Sequence, residues 1–318
     1  MMNKNQLLAV LATGLIAAPM AAQAHEEEKS VYDFQQIDYP GQTQTQVFGI
    51  NDSGDAVGIG VDPDTLPFVY ESMDGVLADV QPADGYASTS VIGINDAGVM
   101  VGTVRSLDLS TASAFIRSKK GTYTVFSHPD AAFFTSARGI NNKGLVSGYY
   151  RDTTNTAIGF IYDDKTATFT DIDTGPSLFT IAHGMNSKGE VVGNAWFTSA
   201  TDPCGSGSPG DVQYGWLRAR DGSITFFQIN GQSTSARGIN DMGLIVGQTV
   251  DPFTFERKGF IVKAPESSCE SVAVATSDLL QFPGSGWTFA EGITNSGVIV
   301  GIIRDALNNV HGFIATPR

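Results

Sequence analysis

Six residues stand directly before the glycine of a recurring Gly-Ile-Asn-like motif: Phe48, Ile92, Arg138, His183, Arg237 and Glu291. If the units that carry them are arranged in order around an axis, the last four form one polar, locally basic arc. Two guanidiniums offer paired donors that match the oxygens of a carboxylate. An imidazole titrates near neutral pH, so His183 would serve as a base, with Glu291 as acid or orienter. Such a set would suit a polysaccharide lyase or hydrolase acting on an acidic substrate in a central channel. The plainer expectation is that Arg138 and Glu291 are channel-mouth residues held in solvated ion pairs.

A second set follows the next apolar run of each unit: Arg105, Tyr149, Tyr150, Arg151, Asp152, Trp196, Phe197, Arg304 and Asp305. Aromatic side chains there would stack on sugar rings or other flat ligands, while Arg and Asp offer hydrogen bonds. Tyr149, Tyr150, Arg151, Trp196 and Arg304 are therefore the candidate ligand-binding residues. A structural explanation competes with this one. Asp62, Asp152, Asp251 and Asp305 all stand four residues after a repeated Gly, which suits turn capping, and Trp196 would fill a gap between units.

The elements that would position these residues are set by the repeat. GINDSGDAVG at Gly49 returns as GINDAGVMVG, GINNKGLVSG, GMNSKGEVVG, GINDMGLIVG and GITNSGVIVG, with opening glycines at 49, 93, 139, 184, 238 and 292. The spacings are 44, 46, 45, 54 and 54 residues, a period expected of propeller blades or a solenoid. Within each unit a strand leads into Gly-Ile-Asn, a turn of Asn-Asp-x-Gly type follows, and a run such as LIVG returns. A third strand such as GFIYD and a fourth such as TFTDIDTG complete four short strands, as in a blade.

One count separates a closed ring from an open solenoid. The last motif leaves 27 residues from Gly292 to Arg318, enough for three strands, and the 18 residues from Val31 to Phe48 hold an unpaired fourth. The N-terminal strand is therefore expected to complete the last blade and protect both free edges. The fold class read from the sequence is all-β: a six-bladed β-propeller with four antiparallel strands per blade. Alternation along the first strand puts Ile50, Ile94, Ile140, Met185, Ile239 and Ile293 on one face, packing between blades, with each preceding Gly letting the next blade sit close.

The repeat resembles that of the HAF family of probable extracellular repeat proteins, which carry the same GIN-D-x-G-x-x-VG, Gly-Phe and aromatic pattern. The resemblance runs from about Val31 to Arg318 and implies an extracellular, propeller-like repeat fold. It brings no active site to carry over. The longer fourth and fifth repeats and the GITN variant at Gly292 depart from the pattern.

Composition and ends bound the rest. The formal charge is −14, which disfavours phosphate backbones and anionic lipid, so no nucleic-acid partner is expected. Residues 1–24 read as a signal peptide, with Lys4, an apolar run from Leu7 to Ala18 and a cleavage site after Ala24; residues 25–30 read as a flexible tail and 31–318 as one domain. No later run approaches the length of a membrane span, so a secreted or periplasmic protein is expected. Cys204 and Cys269 lie in the insertions of the two long repeats, and an exported chain favours bridging them. Their loops, however, should leave opposite faces of the ring. His25, His128, His183 and His311 are scattered without metal-ligand spacing, the Asp62-Pro63-Asp64 run lacks the spaced oxygens of a calcium loop, and no cofactor motif appears. The sequence thus supports a binding or interaction module for a glycan, peptide or extracellular protein, with the enzyme above as the alternative.

Overall fold

The computed structural model describes residues 31–61, 65–206 and 210–318, so the signal-peptide and tail readings, His25 and the Asp62-Pro63-Asp64 run lie outside the described residues. Val31 to Arg318 form one compact unit. It is all-β, with a single short 3-10 turn at Thr276–Asp278 among the described residues.

Six repeats build the sheets. Their first strands are Gln44–Ile50, Ser88–Ile94, Phe134–Ile140, Phe179–Met185, Ser233–Ile239 and Ser285–Ile293, each antiparallel to the second strand that follows its turn. The turn residues act as their chemistry predicts. In the third repeat Asn141 Oδ1 accepts from the backbone N–H of Lys143 and Leu145 at 3.0 and 3.1 Å, and Gly144 takes a φ of 85° that a side chain would resist.

The N-terminal strand Tyr32–Ile37 lies antiparallel on Val310–Pro317, in register from Tyr32 opposite Pro317 to Ile37 opposite Gly312. It supplies the fourth strand of the sixth repeat, as the count required. The sixth repeat also meets the first: Asn295 N–H donates to Asp52 at 2.7 Å, and Gly292 faces the Phe48 carbonyl. The glycines of the motif are required by these seams. A Cβ on Gly49 would stand 2.7 Å from the Ile92 oxygen, and one on Gly184 would stand 2.6 Å from the Arg237 oxygen, both backbone atoms of the following repeat. The isoleucine face packs between repeats as expected, for Ile140 shares a buried cluster with Val101, and Ile239 with Val192, of the preceding units.

The fifth repeat departs from the four-strand plan. Its three strands Ser233–Ile239, Leu244–Val250 and Arg257–Lys263 are followed only by a single bridge, Gly259 to Leu280, where the fourth strand should lie. The expected fourth strand is diverted by the insertion. Glu270–Val272 instead runs parallel to Ile224–Ile229, adding a fifth strand to the outer edge of the fourth repeat. This crossing also answers the objection to the disulfide. Cys269 is carried to the rim of the fourth repeat, where its N–H donates to the Phe226 oxygen at 2.7 Å. Cys204 packs against the buried cluster that contains Phe226, and the two cysteines are bridged with Cα atoms 5.3 Å apart. The loops leave different faces and meet at the side.

Candidate functional site

At the residue before each motif glycine the pairing of first and second strands slips. The ladder passes from Ala137 to Gly139 and from Ala236 to Gly238, skipping Arg138 and Arg237, and skips Phe48, Ile92 and Glu291 likewise. In the fourth repeat it passes from Ala182 to Met185 over His183. A bulge leaves the extra residue unpaired and re-aims its side chain. All six of these residues consequently line one central cavity. The Ile and Met ring that follows them lines this cavity on one side and a second, Asn- and Asp-lined mouth on the other.

Within the upper cavity His183, Arg237 and Glu291 touch in sequence. Arg237 Nη1 lies 3.5 Å from His183 Nδ1 and 3.8 Å from a Glu291 carboxylate oxygen. His183 is 6% exposed, and its Nε2 lies 2.8 Å from Asn194 Oδ1. Asn194 Oδ1 also accepts from the Ser235 hydroxyl, so it is an acceptor and the imidazole proton sits on Nε2. Nδ1 then faces the Arg237 guanidinium. Burial, reinforced by Arg237 and Arg138, holds the imidazole well below its ordinary range. Burial also lowers the Arg237 guanidinium from its usual value, with Glu291 opposing. Glu291 therefore partners Arg237 and does not orient His183; Asn194, which the sequence reading did not single out, has that task.

Arg138 differs from Arg237. Its guanidinium carbon lies 5.4 Å from the Tyr149 ring centroid, a cation–π contact, yet it makes no hydrogen bond or ion pair with another described residue, and its Nε is buried without a partner. Of the two residues expected in ion pairs, Glu291 has one, with Arg237, and Arg138 has none with the described residues.

The second set divides. Phe134 and Tyr149 sit with ring centroids 5.2 Å apart, and Phe179 and Trp196 4.6 Å apart, each pair linking a first and a second strand. Arg304 stands opposite Trp287 in the ladder, with its guanidinium carbon 4.5 Å from that ring. Tyr150 faces the other way. It is 2% exposed, stacked on His128 at 3.8 Å and bonded to Asp171, so it belongs to the core and not to a ligand surface. Burial and the Asp171 carboxylate push its hydroxyl up to about 12. Phe197 is likewise fully buried. Arg151 is tied to its own loop, donating to the Asn155 carbonyl at 2.9 Å. The aspartates cap turns as their regular spacing suggested: Asp152 accepts from Thr154 and Thr156 N–H, Asp251 from Phe253 and Thr254, and Asp305 from Leu307 and Asn309.

A family model described as a protein of unknown function matches residues 42–252. The chain belongs to the DUF3466 family. No curated protein matches this DUF3466 chain. Among solved structures it is similar to a streptogramin B lyase, at 10% identity over 90% of this chain and 98% of that one, with a TM-score of 0.47. The subtype N11 neuraminidase-like protein of A/flat-faced bat/Peru/033/2010 (H18N11) is similar at 11% identity over 90% and 94%, with a TM-score of 0.43. An acylaminoacyl peptidase of Pyrococcus horikoshii is similar at 10% identity, over 85% of the DUF3466 chain and 43% of the peptidase, with a TM-score of 0.45.

What this DUF3466 site offers chemically is cationic and aromatic. Between Arg138, Arg237 and Glu291 it carries one net positive charge in a chain of formal charge −14. The place of these residues before the repeated glycine marks them in the sequence. Phe134, Phe179 and Trp287 are missed by that rule, though they carry a signal of their own: each stands one residue before the Thr that recurs in every first strand, at 45, 89, 135, 180, 234 and 288.

Proposed function

We propose that this chain is an exported six-bladed β-propeller, of the kind its HAF-like repeat suggests, and that it binds a carboxylate-bearing ligand in the upper central cavity. The observation that carries the reading is Arg138, a guanidinium resting on Tyr149 with no acidic partner, in a protein where acids outnumber bases 33 to 19. A cation held free beside a second arginine and a cavity is arranged for an anion from outside. Export is supported by the signal-like residues 1–24 and by the Cys204–Cys269 bridge, which suits an oxidising compartment. No helix among the described residues is long and apolar enough to cross a membrane.

The enzyme reading asks His183 to accept a proton. Its Nε2 already donates to Asn194, its Nδ1 faces a guanidinium, and its basicity is depressed, so binding fits the geometry better than turnover. The test is calorimetric titration of galacturonate and glucuronate against glucose, with wild type and Arg138→Gln, beside an assay for reducing ends and unsaturated products. Binding of the acid sugars alone, lost in Arg138→Gln and without product, is expected. Product formation lost in His183→Ala at unchanged melting temperature would replace the binding module with an enzyme.

A further inference from the structure

We infer that the strand carrying Glu291 leads to a second anion subsite at Arg257, Trp287 and Arg304, and that the ligand is therefore a linear acidic glycan bearing carboxylates on separate sugar units. The inference rests on the carboxylate reading of Arg138 and Arg237 for its first subsite.

Trp287 gathers two cations. The guanidinium carbon of Arg257 lies 5.1 Å from its ring centroid and 5.9 Å from that of Phe289, and the carbon of Arg304 lies 4.5 Å from Trp287. The contacts come from the sheet itself. Trp287 and Arg304 are cross-strand partners, and Arg257 of the fifth repeat reaches Trp287 through the one-residue bridge that joins the two units. Neither guanidinium makes a hydrogen bond or an ion pair with another described residue, and Arg304 Nε is buried without a partner. Glu256, next to Arg257 in the chain, pairs instead with Lys258. Two like charges gathered on one ring repel each other, and the aromatic contact, worth about 0.5–2 kcal/mol, does not satisfy their donors. An incoming anion answers both needs.

The two subsites share a strand. Four residues separate Trp287 from Glu291, the partner of Arg237, which at ~3.3 Å per residue places them about 13 Å apart. A single carboxylate cannot reach both. A chain of acidic sugars can, and the partly exposed Trp287 and Phe289 rings offer flat apolar surface for its pyranose faces. An acidic peptide has the charges without those faces, so the glycan is favoured.

The probe is a galacturonate series from monomer to hexamer, with hexaglutamate as the peptide control, titrated calorimetrically into wild type, Arg138→Gln, Arg257→Gln and Arg304→Gln. Affinity should rise roughly a hundred-fold once the oligomer spans both subsites, because the second contact is then intramolecular. Arg304→Gln and Arg257→Gln should each remove that rise while leaving the melting temperature unchanged. An affinity independent of length, an unaltered rise in both variants, or equal binding of hexaglutamate would overturn the inference. Oligomer binding that is unaltered in Arg138→Gln but lost in Arg304→Gln would remove the first subsite and keep this one.

Discussion

The two mouths of the channel are built from adjacent residues of the same motif, yet they differ in kind. In the lower mouth the side chains repeat. Asn51, Asn95, Asn141, Asn186 and Asn240 each donate Nδ2–H to the carbonyl of the equivalent residue in the next unit, at 3.0 to 3.3 Å. The neighbouring residue adds a second link, as when Asp52 N–H donates to Asp96 and Asp241 N–H to Asn295. Where Thr294 replaces the Asn and has no amide to donate, Asn295 takes over and binds Asp52 through both its backbone and side-chain nitrogens. In the upper mouth the residues before each glycine run Phe, Ile, Arg, His, Arg, Glu. Identical residues satisfy one another around the ring, whereas the unlike ones leave donors over. Structure is invested where the repeat agrees and binding chemistry where it does not.

The sharpest way to break this comparison is to damage the lower ring. Asn141→Ala removes two turn-capping bonds and the 3.2 Å link to Asn186, and at about 1 kcal/mol per bond it should destabilise the protein by about 3 kcal/mol. Denaturant unfolding measures this, and the m-value should not change. A loss below about 1 kcal/mol would show that the ring of amides is decoration. Gly184→Ala comes next. Its Cβ would stand 2.6 Å from the Arg237 oxygen and 2.9 Å from the Gly238 Cα, backbone atoms that cannot rotate away, so overpacking should cost about 1–3 kcal/mol. Gly85→Ala, where no atom lies within 4 Å but φ is +82°, separates crowding from backbone strain.

These glycines mark how far the sequence can be read. The period, the turn at each Asn-x-x-Gly and the pairing of Tyr32–Ile37 with the last strand follow from spacing and residue type, because they depend on local backbone chemistry repeated along the chain. The bulge at Arg138 was not legible, since strict alternation was the only rule available and a bulge violates it without a sequence mark. Nor was the path of residues 264–278: one insertion cannot announce that its strand will pair with a different repeat, as Glu270–Val272 does. Tyr149 and Tyr150 show the same limit at single-residue scale. Adjacent in the chain, they point to opposite faces, and only three-dimensional packing decides that Tyr150 meets His128 and Tyr149 meets Arg138.

Arg138→Gln probes the other half of the comparison. Removing it should destabilise by no more than about 1 kcal/mol, because only the cation–π contact with Tyr149 is lost and a repulsion with Arg237 is relieved. A destabilisation matching that of Asn141→Ala would make Arg138 a structural residue and end the distinction between the mouths.

The smallest expected effect is a slope with pH. The folded imidazole of His183 titrates well below its ordinary value, chiefly from burial and then from Arg237 and Arg138, while the unfolded one titrates near 6.5. As pH falls below about 6.5 the unfolded chain takes a proton that the folded one refuses, so the stability present at neutral pH is lost progressively on acidification. His128, lowered by burial against the pull of Asp171, acts in the same direction. The melting temperature of wild type should therefore decline between about pH 7 and pH 5. His183→Gln, which retains an amide opposite Asn194, should show a shallower decline, and Arg138→Gln should fall between the two because one of the opposing charges is gone. Parallel curves for all three would mean that His183 is solvated in the native state, against its burial.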